Sequence, residues 1–388
     1  MSAAGLPEAN ICSYFPSFFF FSWHFFLRAL VVRPEQKSLS LEEIVIVDLK
    51  PDEILVEIVT SGICHTDLLA MDGILPMLSP GVLGHEGTGR VSKVGEGVHH
   101  LSPGDQDMLS YSSCGSCDHC QSQHTSYCEG LRARNSSGTR PDGSSALMST
   151  SGDRLFGHWF GQSSFSKHAV VKVSSAVRLA PEIDLATLPP MGCGLMTGAG
   201  AVFKTLDVQS GTSLAVFGVG AERLDLAFAL GATHTFNNVQ VDDVSGKIRQ
   251  HTGSVGVQYA LDCTGVATVI RTMVNSLALR GKGAFVGTPS SAPTVELDIL
   301  SHLFGGKQYI GSMLGDSSNQ VLIPYLLELH QMGEFPVERL VTHYEVKDYE
   351  MAFADGMGRL SKLCCTGRRC GFCAMSTSIG ICCLVIRN

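Results

Sequence analysis

The chain has 388 residues, 16% of them charged, with a formal net charge of −8 and a pI near 5.9. That length holds two domains with full cores, and the negative balance argues against nucleic acid as a partner. The 14 cysteines lack the regular framework of a small secreted domain, and four of them fall within residues 114–128, so a reduced, cytoplasmic setting is expected.

Residues 15–27 form a phenylalanine-rich apolar run. It is shorter than the roughly 20 residues that span a bilayer, and no basic region precedes it, so no membrane association is expected. Residues 1–28 read as an extension foreign to the fold. Strand-like runs follow at 44–47 and 54–59, separated by Pro51-Asp52. Residues 60–175 stay short-stranded and rich in Gly, Ser and Cys, as in an irregular β domain whose loops carry ligands. The period then changes. Helices are expected at 196–205, 222–230, 266–279 and 321–332, and strands at 213–217, 233–236, 257–262 and 283–286. This alternation predicts an α/β fold with a parallel sheet. The tail, 364–388, holds six cysteines, including Cys370 and Cys373 at half-site metal spacing, and is expected to be poorly ordered.

Cys114, Cys117, Cys120 and Cys128 have the spacing C-x2-C-x2-C-x7-C. Four thiolates can close a tetrahedral shell, as a structural zinc requires. A pair of disulfides, or free thiols without a metal, are the bland alternatives. His119 and His124 lie inside this loop and are expected to be solvated. A second set is Cys64, His85 and Cys193, with Glu86 beside His85. Two thiolates and an imidazole leave a fourth position open, as a catalytic zinc needs. Asp67 is a sensible hydrogen-bond acceptor for the far nitrogen of His85. Thr66 is placed to take up the proton that an alcohol loses. The apolar run 213–217 leads into Gly218-Val219-Gly220, the opening of a dinucleotide-binding turn.

With those residues in hand, the chain resembles the zinc-dependent alcohol dehydrogenases of the medium-chain dehydrogenase/reductase family over roughly residues 29–363. The signature runs from Gly84-His85-Glu86 through Gly95-Glu96-Gly97-Val98, joined to Cys64, the four-cysteine lobe and Gly192-Cys193-Gly194. The stretches 135–143 and 160–165 are most similar to the aryl-alcohol (benzyl alcohol) branch. The resemblance implies a GroES-like distorted β-barrel catalytic domain and a Rossmann-type cofactor domain. The catalytic part would comprise 29–194 and 317–363, and the cofactor part 195–316. It implies two zinc ions per chain, NAD (or NADP) as cofactor, a small alcohol or aldehyde as substrate, and a homo-oligomer, dimer or tetramer. By motif, Cys64, His85 and Cys193 would hold the catalytic zinc, with Glu86 just behind. Cys114, Cys117, Cys120 and Cys128 would hold the structural one. His65 would approach the cofactor phosphates, Gly218 and Gly220 the pyrophosphate, and Thr197, Val286 and Gly287 the nicotinamide. A polyol or formaldehyde-adduct substrate, and a zinc-binding but catalytically silent relative, stand as alternatives.

The chain departs from this family at four places. Between Ala221 and Glu222 it lacks roughly 25 residues, including the strand whose terminal acid reads the ribose 2′-OH. Asp242 and Asp243 lie about 20 residues past the glycine turn but follow a later strand. The head and the cysteine-rich tail replace the family's ends. Asp107 stands at a strand position where the family has an apolar residue. Departures of this kind match a misread gene model or an aberrant transcript, which detection of peptides spanning Ala221-Glu222, the head and the tail, all together, would rule out.

Overall fold

The β-branched and apolar run 53–63 forms the spine of the first half of the molecule. The computed structural model describes residues 25–36, 38–237, 240–289, 293–358, 362–363, 371–374 and 382–387. The expectations for the head up to residue 24, and for Cys364, Cys365 and Cys370, lie outside the described residues. Strand Glu53–Ile63 pairs antiparallel with Glu86–Val94 and with His168–Lys172. Glu86–Val94 continues to Gln106–Leu109 and then Ala176–Leu179. The near-barrel core of this half includes Ile54, Val56, Ile58, Val91 and Val171. Asp107 points its carboxylate into these buried surroundings, is itself fully buried, and finds no partner for either oxygen.

A second sheet covers this one. Its strand Phe25–Arg33 pairs antiparallel with Ser38–Ile46. The strand thus begins inside the segment expected to be foreign, because residues 25–28 find ladder partners in residues 43–46.

The second half is a doubly wound sheet. Its parallel strands are Ser213–Phe217, Val257–Asp262, Leu277–Phe285 and Gln308–Gly311. Ala215, Phe217, Ala260, Ile248, Val269 and Met273 pack its core. The expected helix at 196–205 begins at Gly194, runs to Gly200, and widens to a π turn at Ala201–Thr205. The helix expected at 266–279 stops at Ser276. Leu277 takes ψ 137° and opens a strand opposite Val257, because the ladder satisfies its backbone groups where the helix would leave that edge unpaired. The expected helix at 222–230 is reduced to Leu224–Ala229 behind a 3₁₀ turn at Ala221–Arg223.

Two described pieces of the tail form strands, where poor order was expected. Gly371–Ala374 runs parallel to the end of the spine strand, Ala374 opposite Ile63. Cys382–Arg387 enters the doubly wound sheet between His234–Asn237 and Ser213–Phe217, antiparallel to both. No helix among the described residues is long and apolar enough to cross a membrane.

Candidate metal and cofactor site

The spine strand ends at Ile63 and hands Cys64 to the N-terminus of helix His65–Met71. His85 precedes strand Glu86–Val94, and Cys193 sits between the turn Pro189–Gly192 and helix Gly194–Gly200. One ligand atom from each of Cys64, His85, Glu86 and Cys193 lies within 4.8 Å of the others, and all four residues are buried. Two thiols, an imidazole and a carboxylate suit zinc. His85 Nε2 is buried without a hydrogen-bond partner, as a nitrogen kept for a metal would be.

Asp67 sets that orientation. Its Oδ1 accepts from His85 Nδ1 at 2.9 Å, Trp159 Nε1 at 3.0 Å and the Gly84 N–H at 3.1 Å. Its Oδ2 accepts the Cys64 N–H at 3.1 Å. Nδ1 therefore carries a hydrogen, and Nε2 is the free ligand atom. Burial pulls His85 toward its neutral form, but Asp67 and Cys64 outweigh it and hold the imidazole's pKa well above its ordinary value. A metal entering through Nε2 displaces that proton. Glu86 Oε1 accepts the Gly194 N–H at 3.1 Å. A Cβ at residue 62 would sit 2.1 Å from Glu86 Oε2, so only glycine leaves this carboxylate its place. Thr66 is half-buried, its hydroxyl 3.9 Å from Cys64 Sγ.

Three further residues shape the site without having been assigned there from sequence. Trp159 binds Asp67. Phe160 stacks on His85 with centroids 4.4 Å apart. Gln162 Nε2 donates to the His85 carbonyl at 2.8 Å and the Ser110 carbonyl at 2.9 Å. The sequence offered only the residue types of Trp159 and Gln162 as a signal, since their partners lie far away along the chain.

The four-cysteine loop forms a second cluster, with Sγ atoms of Cys114, Cys117, Cys120 and Cys128 within 4.8 Å of one another. All four are free thiols, so the disulfide alternative fails. The N–H groups of Ser116 and Cys117 donate to Cys114 Sγ at 3.4 and 3.3 Å and lower its pKa to about 5. Burial pushes Cys120 up to about 12. His119 is exposed, and His124 pairs with Asp316 at 3.2 Å. Neither imidazole joins the thiol set.

Of the residues expected at the cofactor, Gly218, Gly220, Val286 and Gly287 follow the carboxyl ends of parallel strands, where dinucleotides bind in such sheets, whereas His65 and Thr197 sit in helices outside that sheet. Gly218 and Gly220 turn the chain at φ 97° and 86°, angles that favour glycine. A Cβ on Gly218 would strike Thr264 at 2.6 Å, and one on Gly287 would strike the Gly265 nitrogen at 2.2 Å. Asp262 braces this rim, accepting from the Thr264 hydroxyl at 2.7 Å and the Gly265 N–H at 2.9 Å. The Val286 N–H donates to the Asp262 carbonyl at 2.9 Å. Thr197, half-buried, follows Cys193 by one helical turn, its N–H bonded to the Cys193 carbonyl at 2.8 Å. His65 is half-buried next to Cys64. The glycine turn and rim fit a dinucleotide backbone. Asp242 and Asp243 do not reach the glycine turn's strand. They follow the sheet's edge strand, and Asp243 caps the next helix by accepting the Gly246 N–H at 2.8 Å.

Comparison with known proteins agrees with this geometry. Residues 50–181 match the alcohol dehydrogenase GroES-like domain, and residues 206–329 match the zinc-binding dehydrogenase domain. Geraniol dehydrogenase of Castellaniella defragrans is 36% identical over 341 residues, covering 82% of this chain and 91% of that protein. An Escherichia coli S-(hydroxymethyl)glutathione dehydrogenase is 32% identical over 344 residues, covering 81% and 92%. The crystal structure of benzyl alcohol dehydrogenase from Acinetobacter calcoaceticus superposes with a TM-score of 0.83 at 33% identity, covering 88% of this chain and 99% of that one. Two matched domains and long, continuous similarity lead to one assignment: this chain belongs to the NAD(P)-dependent zinc alcohol dehydrogenases of the medium-chain dehydrogenase/reductase family.

Proposed function

We propose that the chain oxidises a primary alcohol of aryl or benzyl type to the aldehyde, with NAD as hydride acceptor. The observation that carries this reading is the buried convergence of Cys64, His85, Glu86 and Cys193, with Phe160 stacked on His85 beside it. A ring at that position offers an aromatic substrate an apolar contact. Likeness to a benzyl alcohol dehydrogenase supports the same substrate class. Cys64, His85 and Cys193 would hold the catalytic zinc, and Cys114, Cys117, Cys120 and Cys128 the structural one. Bound there, zinc would supply Lewis acidity toward the alcohol oxygen and the dinucleotide would supply the hydride acceptor. Asp67 fixes the imidazole, Thr66 receives the alcohol proton, and Gly218, Gly220, Val286 and Gly287 offer backbone to the dinucleotide. The cofactor part is proposed to span 195–316 and the catalytic part 29–194 with 317–363. Helix Ile299–Gly305 exposes Ile299, Leu300, Leu303 and Phe304 next to the edge strand Gln308–Gly311, which supports a homo-oligomer. The free described cysteines support a cytoplasmic setting.

The loss of the second dinucleotide strand supports a second reading, a zinc-binding relative with impaired catalysis. Turnover of benzyl alcohol, geraniol and S-hydroxymethylglutathione, followed by reduced-nicotinamide absorbance, decides between them. Benzyl alcohol should give the highest kcat/KM. Zinc without turnover of any of the three would establish the silent reading.

A further inference from the structure

The doubly wound sheet is complete although a strand of it is missing from its usual place in sequence. In the common order 3-2-1-4-5-6, the second strand lies directly beside the strand that leads into the glycine turn, and the acid at its carboxyl end binds the ribose 2′-OH. Here residues 221–233 hold only a 3₁₀ turn and the short helix Leu224–Ala229, with no strand. Strand His234–Asn237 does not pair with Ser213–Phe217. Both pair instead with Cys382–Arg387, Phe217 opposite Cys383 and Asn237 opposite Cys382. Two strands about 9.6 Å apart would leave two facing rows of unpaired backbone groups. One strand from the tail satisfies both rows at once.

We infer that Cys382–Arg387 substitutes for the second strand of the dinucleotide sheet and leaves the cofactor crevice without a reader of the ribose 2′ position, so that NAD and NADP bind alike. This rests on the dehydrogenase reading above.

The polarity of the strand is the first argument. Because it runs antiparallel, its crevice end is its N-terminal residue, Cys382, beside the end of Ser213–Phe217. Composition is the second. Residues 364–388 contain no Asp and no Glu, so no register of the tail can present an acidic side chain there. The acids nearest in sequence to the edge strand, Asp242 and Asp243, follow a strand one position further from the glycine turn. An acid at the second strand's end favours NAD by accepting from the 2′-OH and disfavours NADP by repelling its phosphate. Without it, both effects vanish together.

Titration calorimetry of the zinc-loaded full chain with NAD and with NADP tests the inference. The two Kd values should agree within about tenfold. A preference beyond tenfold in either direction overturns the inference and leaves the dehydrogenase reading standing. Binding of neither dinucleotide overturns both. Amide hydrogen exchange on the same protein tests the strand itself. The amides of residues 383–386 should be as protected as those of Ser213–Phe217, and exchange there at the rate of an unstructured peptide overturns the substitution.

Discussion

The Asp67 carboxylate accepts a hydrogen from His85 Nδ1 at 2.9 Å, with both side chains fully buried. The same oxygen also binds Trp159 and the Gly84 backbone, so one acid ties the candidate metal ligand to the core. Asp67→Asn keeps the shape and replaces an acceptor by a donor. Zinc affinity at this site should fall about 10–100-fold. Competition with a chromogenic chelator checks this, and unchanged affinity would show that the contact does not tune the metal.

The four-cysteine cluster makes a separate prediction. Cys117→Ser should lower zinc content from about two ions per chain to about one and reduce the melting temperature. Elemental analysis with thermal melting reads both. Retention of both zinc ions would refute the assignment of this loop.

Asp107 is a stability defect in the β core. Burial raises its pKa well above the ordinary carboxyl value, with a smaller push from Asp105. The folded state therefore binds a proton that the unfolded chain releases, and stability is lost as pH rises from the unfolded pKa toward the folded one. Asp107→Val should stabilise by about 1–3 kcal/mol at neutral pH and by less at pH 4. Urea melts at the two pH values give the comparison; an equal gain at both would contradict it.

Glu53 and Arg140 behave in the opposite sense. Both are buried, and the guanidinium grips both carboxylate oxygens at 2.8 and 2.7 Å. Burial pushes Glu53 up, but the Arg140 hydrogen bonds, the Lys50 N–H and the nearby positive charges together outweigh it and bring the pKa down to about 2. That stabilisation is present above the unfolded pKa and is lost as pH falls toward 2. Arg140→Ala should cost about 3 kcal/mol at pH 7, with Lys172 at 3.2 Å keeping part of the compensation. The deficit should shrink at pH 3, and a deficit independent of pH would exclude this account.

What was legible in sequence had a short-range code. The spacing of Cys114, Cys117, Cys120 and Cys128, the Gly84-His85-Glu86 segment and Asp67 three residues after Cys64 all grouped side chains that meet in space. Asp107 stood out as a charge at a strand position where the family has an apolar residue. What was not legible depended on distant partners. Trp159 reaches Asp67 across 92 positions, and Gln162 reaches His85 across 77. The end of the helix at Ser276 was decided by a neighbouring strand rather than by a breaker residue. The tail's strand carries no turn or cap that announces where it pairs.

That strand also governs when the protein can fold. Ser213 pairs with Arg387, far along the chain. Two strand edges stay open until that segment docks, and closing them requires a contact of very long sequence separation, which is slow. The thiols of the loop at 114–128 meet within a single short stretch of sequence. That cluster can therefore assemble well before the nucleotide half closes, so metal loading and competence for a dinucleotide are separate steps in time.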